Sequence, residues 1–206
     1  MANPGVPSRN PFVLPRGPIG RLAGFIMGRD DRQHREVADL LAPSPGGSVC
    51  EIGFGPGQLL AALAVRDPAV RLCGVDPSPV MLDQARRRLA RTGVTADLRL
   101  ASAGALPFDD RSVDHVVAVN SAAAWPDLPG AIADARRVLR PGGTLLLAWH
   151  SASSPRRLQR SIARPETWWS TVLDSVRREF GDARRHDLRY STVCTATATA
   201  EVGPLT

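Results

Sequence analysis

The chain places Glu51-Ile52-Gly53-Phe54-Gly55-Pro56-Gly57 between two apolar runs. Before it, Ser48-Val49-Cys50 reads as a short buried strand; after it, Leu59, Leu60 and Leu63 read as one face of a helix. A glycine-rich turn between a parallel strand and a helix lets a ligand approach the backbone closely, near the positive end of the helix. The glycine spacing then narrows the ligand. A dinucleotide fingerprint needs G-x-G-x-x-G, and counting from Gly53 and Gly55 puts Gln58 at the sixth place. The pattern here is E-x-G-x-G-x-G.

Helices and strands alternate on both sides of this turn. Asp30 or Asp31 is positioned to cap a helix running to about Leu41, with Val37, Leu40 and Leu41 inward, and Pro43-Ser44-Pro45-Gly46-Gly47 breaks the chain. Arg71 to Val75 reads as strand two. Ser78 and Pro79 open a helix with Met81, Leu82, Ala85 and Leu89 inward, and Thr92-Gly93 stops it. Ala96 to Leu100 is strand three. Val113 to Val119 is strand four, almost continuous in valine as a strand covered on both faces should be. Ile132, Ala135, Val138 and Leu139 mark a helix ended by Arg140-Pro141-Gly142-Gly143, and Thr144 to Trp149 is strand five. A helix from Glu166 to about Phe180 and two closing strands within Ala183 to Thr199 complete the expectation. This order implies a single α/β domain, doubly wound about a mostly parallel sheet with helices on both faces. Ligands of such sheets bind at the carboxyl ends of the strands.

The composition bounds the partners. The 206 residues suit one domain with a full core. Neither a signal peptide nor an apolar run long enough to span a membrane is found. Three widely separated cysteines argue against a disulfide framework or a zinc site, so a cytoplasmic location is expected. The net charge of +6 comes entirely from arginine on the basic side, because the chain has no lysine. Those arginines are scattered, apart from Arg86-Arg87-Arg88, and no aromatic-basic surface motif accompanies them. A nucleic-acid partner is therefore not expected.

Further motifs stand at the strand ends. Asp76 ends strand two, 19 residues past Gly57, where a carboxylate can accept both hydroxyl protons of a ribose. Ala101-Ser102-Ala103-Gly104-Ala105-Leu106-Pro107-Phe108-Asp109-Asp110 precedes Ser112-Val113-Asp114, and Arg137-Val138-Leu139-Arg140-Pro141-Gly142-Gly143 precedes strand five. In this order and spacing, the glycine loop, Asp76, the L-P-F-x-D-x-S-x-D run and R-V-L-x-P-G-G resemble the class I, Rossmann-like S-adenosylmethionine-dependent methyltransferases of small molecules. The resemblance covers roughly residues 48 to 149, and it implies a seven-stranded sheet.

The resemblance also implies roles. Glu51, Gly53, Phe54, Gly55 and Gly57 form the loop under the methionine part of S-adenosylmethionine. Asp76 meets the ribose, Pro77 and Met81 flank the adenine, Ser102 and Ala103 meet its polar edge, and Asn120 faces the methionine moiety. The family's adenine-contacting aspartate is replaced by Ser102, whose neutral hydroxyl makes a weaker bond. For Met81 a place in the plain core is the alternative.

Because such a cofactor carries the activated methyl group, the protein chiefly aligns the reactants, and a general base is needed only for a protonated acceptor. His150, directly after strand five, and His34, on the N-terminal helix, are the candidate bases; His115 reads as structural. Trp125 is placed to wall the acceptor pocket or simply to pack, and Trp168 and Trp169 have the same two readings. The Asn-Ser-Ala-Ala that begins at Asn120 lacks the [DN]-P-P-[YF] of base-methylating enzymes, and no carboxylate set for a metal is found. What remains is a small-molecule or short-peptide acceptor methylated on oxygen, nitrogen or carbon. Residues 1–42 are expected as a leader and lid helix and 43–206 as the catalytic domain. The arginine-rich Ser151 to Pro165 completes the lid, where Arg156, Arg157 or Arg160 meets an anionic acceptor. Two alternatives are a catalytically silent binder of the same cofactor and a nicotinamide-binding protein, the latter opposed by Gln58.

Overall fold

The computed structural model describes residues 31–199, so the expected Pro/Gly/Arg-rich leader up to residue 30, including Asp30, lies outside the described residues. Seven strands form one sheet: β1 (Ser48–Ile52), β2 (Arg71–Val75), β3 (Ala96–Arg99), β4 (Val113–Val119), β5 (Leu139–His150), β6 (Arg184–Asp187) and β7 (Ser191–Thr197). Their order across the sheet is β3-β2-β1-β4-β5-β7-β6. The first five strands are mutually parallel, and β7 runs antiparallel to both β5 and β6. The helices are α1 (Arg32–Leu41), α2 (Gln58–Arg66), α3 (Pro79–Leu89), α4 (Leu128–Val138), the short α5 (Arg157–Ser161) and α6 (Glu166–Phe180).

Strand alternation sends the core to both faces. In β5, Leu145, Leu147 and Trp149 pack toward α4 and α6, while Leu146 and Ala148 pack toward the face of α1, α2 and α3. Each aliphatic side chain so buried contributes about 1.5–3 kcal/mol before entropy is counted.

The structure differs from the sequence expectation at four places. Leu40 is 37% exposed, and the inward positions of α1 are Gln33, Val37, Ala38 and Leu41. Asp31 stands before α1, but its carboxylate pairs with Arg35 instead of capping the helix. Strand β3 ends at Arg99, leaving Leu100 outside it. Strand β5 starts at Leu139, not Thr144: Val113 pairs with Leu139 and His115 already with Thr144, so Arg140 to Gly143 bulge out of the ladder. Gly142 turns the bulge at a φ of 83°, and a Cβ on Gly143 would lie 2.8 Å from the Asp114 carbonyl oxygen.

Candidate functional site

The turn after β1 is built by backbone bonds to its neighbour. The Gly53 and Phe54 N–H groups both donate to the Val75 carbonyl, at 2.7 and 3.4 Å, and the Gly57 N–H closes the turn on the Phe54 carbonyl at 2.9 Å. Gly53 has a φ of 76°, and a Cβ there would sit 2.4 Å from the Cβ of Ser121, whose hydroxyl donates to the Ile52 carbonyl. Side chains at 53 are therefore excluded twice, by backbone conformation and by Ser121. Gly55 has open space where its Cβ would be. The Phe54 ring turns the other way, into the α2–α3 face of the core, 2% exposed.

Two carboxylates bracket this turn. Asp76, 6% exposed, accepts the Gly55 N–H on Oδ2 at 2.9 Å and the Ser78 N–H on Oδ1 at 2.8 Å. Burial raises its pKa, and those two backbone donors oppose the rise. Glu51 is 2% exposed, and its Oε2 is buried with no hydrogen-bond partner among the described residues. Burial first, and the Asp76 charge second, push the Glu51 carboxyl well above the usual carboxylate range.

Helix α1 lies against the end of β4. Asn120 Nδ2 donates to Gln33 Oε1 at 2.8 Å, and Gln33 Nε2 returns a bond to Asn120 Oδ1 at 3.2 Å. Asn120 adopts a φ of 57°, a conformation asparagine tolerates better than most residues. On the same helix Glu36 accepts the Tyr190 N–H on both carboxylate oxygens, which fixes α1 to the β6–β7 turn. His34 follows Gln33 and is half-buried; His150 ends β5, also half-buried, opposite Ser191.

The structure thus gathers Glu51, Gly53, Gly55, Asp76 and Asn120 at the carboxyl ends of β1, β2 and β4. Met81 is 1% exposed, whereas Pro77 and Ser102 are exposed and Ala103 is half-buried. Sequence reasoning missed Gln33 and Ser121. A polar residue at an inward helical position was the available signal for Gln33; nothing in the sequence marks Ser121. Among the described residues no cluster of three or more His, Cys, Asp or Glu can hold a metal ion, and no helix is long and apolar enough to cross a membrane.

A parallel sheet with a glycine turn at the end of one strand and a carboxylate at the end of the next defines a Rossmann-like cofactor-binding domain. Residues 49–143 match the family described as Methyltransferase domain. An uncharacterized methyltransferase of Mycobacterium tuberculosis is 34% identical over 169 residues, 79% of this chain and 65% of the relative. One from Bacillus subtilis is 33% identical over 123 residues, 59% of this chain and 67% of the relative. The trans-aconitate 2-methyltransferase of Methylobacterium radiotolerans is 29% identical over 180 residues, 84% of this chain and 67% of that protein. Among solved structures, a SAM-dependent methyltransferase from Aquifex aeolicus superposes with a TM-score of 0.69 at 14% identity, covering 87% of this chain and 98% of that one. The chain belongs to the class I S-adenosylmethionine-dependent methyltransferases. It spans 65% of the length of the Mycobacterium relative.

Proposed function

We propose that the protein binds S-adenosylmethionine at the ends of β1 and β2 and transfers its methyl group to a small-molecule or short-peptide acceptor. The observation that carries this reading is the pair of buried carboxylates beside the glycine turn, Glu51 with an oxygen that meets no donor and Asp76 with backbone donors only. Such a mouth suits a ligand rich in donors and positive charge. S-adenosylmethionine offers ribose hydroxyls, an ammonium group and a sulfonium, while a dinucleotide would bring two phosphates against Glu51. Each Asp76 oxygen keeps a lone pair for a ribose hydroxyl. Gly53, Gly55 and Gly57 keep the turn low under the methionine part, and Phe54 holds it from the core side. Pro77 flanks the adenine with Met81 buried beneath it, Ser102 and Ala103 meet its edge, and Asn120 serves the methionine moiety.

When bound, the cofactor supplies a methyl group activated for displacement from sulfur. The chain's own residues align the acceptor and exclude water. His150 and His34 are the groups we assign to take a proton from an acceptor that arrives protonated. Helix α1 and the segment 151–165 form the cover, and the sheet with its remaining described helices is the catalytic domain. The trans-aconitate relative supports a small acid as acceptor. The three cysteines are free thiols, which suits the cytoplasm.

Calorimetric titration with S-adenosylhomocysteine, with NADH as control, tests the reading. Micromolar binding of the first alone is expected, and Asp76→Asn should weaken it by about 10–100-fold, the loss of one or two charge-assisted bonds. Binding of NADH, or of neither ligand, sinks the proposal.

A further inference from the structure

The segment between β5 and α6 holds an arrangement that cofactor binding does not use. The Arg164 guanidinium lies 4.2 Å from the Trp149 ring centroid and 5.8 Å from that of Trp168. The two indoles are 5.8 Å apart and tilted by 59°. Trp149 Nε1 donates to the Ile162 carbonyl at 2.8 Å, which ties the segment to the sheet. Arg164 Nε is buried and meets no acceptor among the described residues. Nearby, Arg160 spends one guanidinium nitrogen on the Ser154 carbonyl at 2.7 Å. Neither Arg157, Arg160 nor Arg164 forms an ion pair among the described residues, in contrast to Arg185 a little further on, which grips Glu166. Leu158 and Ile162, four residues apart, are 76% and 47% exposed.

Stacking on indoles fixes a guanidinium while leaving its donor edge available to an oxyanion. A positive charge already seated on the rings opposes an amine there, and a buried N–H without an acceptor favours an oxygen ligand. The place is also apt. Trp149 is the penultimate residue of β5, beside β4, whose end carries Asn120, so Arg164 stands near the strand ends where ligands of this fold bind.

We propose that Arg164, held on Trp149 and Trp168, receives the carboxylate of the acceptor while Leu158 and Ile162 contact its apolar body. The acceptor class is then a small amphiphilic anion, and Arg164 acts as a specificity residue that does not touch the transferred methyl group. This inference rests on the proposed methyl transfer for there being an acceptor at all.

The test uses the full chain saturated with S-adenosylhomocysteine and three probes of one length: octanoate, octan-1-ol and octylammonium. Binding is read by tryptophan emission and by calorimetry. Octanoate should bind at least tenfold more tightly than octanol, with octylammonium weakest. Arg164→Ala should erase the preference for octanoate over octanol, and Arg164→Lys should keep only part of it, having charge without stacking. Melting temperature and S-adenosylhomocysteine affinity should stay close to wild type, which separates recognition from a merely structural role. Equal binding of octanol and octanoate, or an unchanged preference in Arg164→Ala, overturns the proposal. Should the alanine variant fail to fold, the wild-type preference decides alone. Failure to bind S-adenosylhomocysteine counts against the cofactor reading instead, and the probe preference is then measured on the free protein.

Discussion

Glu51 sits where a folded protein gains least from a carboxylate: almost fully buried, near a second acid, with Oε2 lacking a donor. Because its folded pKa is raised, the neutral form is the one the fold prefers. By linkage, the charged group subtracts stability as pH rises from its unfolded pKa of about 4.3 toward the higher folded value, and the loss is complete above that. Replacing Glu51 with Gln removes the charge at nearly constant shape. The expected outcome is a ligand-free melting temperature raised by about 2–4 °C at pH 7, equivalent to about 1 kcal/mol in a chain of this size. The gain should shrink toward pH 4, and affinity for S-adenosylhomocysteine should fall. Thermal melts across that pH range check it; a variant less stable than wild type at pH 7 refutes it. A residue that costs stability without ligand and supports binding with it is what a binding site should contain.

At the scale of elements, α1 matters most, because two contacts from one helix turn join it to distant parts of the sheet. Gln33 and Asn120 exchange both amide bonds, and Glu36 takes the Tyr190 N–H. The apolar face of the helix is short, with Val37, Ala38 and Leu41 buried and Leu40 half out. Opening α1 therefore depends on the polar latch as much as on packing. Gln33→Ala leaves the Asn120 amide unpaired at a part-buried place, a cost of about 1–3 kcal/mol. Hydrogen exchange of the α1 amides should speed up by roughly 5- to 150-fold, in line with that energy, while the central strands β1 and β4 keep wild-type protection. Uniform acceleration through the sheet would show that α1 does not open as a unit. This is also where the sequence was hardest to read. The helix itself is legible from its spacing, but hydrophobicity alone turns Leu40 inward. The hydrogen-bond demand of Asn120 decides it instead, and that partner lies 87 residues away. In the same way the bulge in β5 was hidden, since Arg140-Pro141-Gly142-Gly143 reads locally as a turn and only the pairing with β4 makes it strand.

Across the whole molecule the two ends of the sheet do different work. The strand alternation, the glycine turn and Asp76 were legible because each obeys a local rule, whether period, turn chemistry or strand-end position. Arg164 on its two indoles was not, because its partners come together only through the tertiary fold. Several residues of the motifs that resemble the family lie away from the carboxyl ends of the strands. Arg137 donates to the Leu106 and Phe108 carbonyls and pairs with Asp110 and Asp134, clamping the loop before β4 onto α4. Asp114 accepts from the Ser48 N–H and hydroxyl and from Arg140, with Arg71 at 3.8 Å, so one carboxylate joins β1, β2, β4 and β5 at their amino-terminal ends. Burial alone would raise the Asp114 pKa, but the Ser48 hydroxyl and the Arg140 guanidinium outweigh it and hold the carboxyl well below the usual range. A depressed folded pKa gives stability that is present above the unfolded value of about 3.9 and is lost as pH falls through the folded one. With a third of the Asp114 side chain exposed, solvent screening limits the loss in Asp114→Asn to about 1 kcal/mol at pH 7, or about 2–4 °C in melting temperature. The gap to wild type should narrow as pH drops below about 4, and S-adenosylhomocysteine affinity should stay within about twofold because the ligand end is untouched. Melts from pH 7 to pH 3, paired with calorimetry at pH 7, measure both. A stability gap that stays undiminished from pH 7 to pH 3 would remove the charge from the explanation, and a large loss of affinity would show that the two ends of the sheet are coupled.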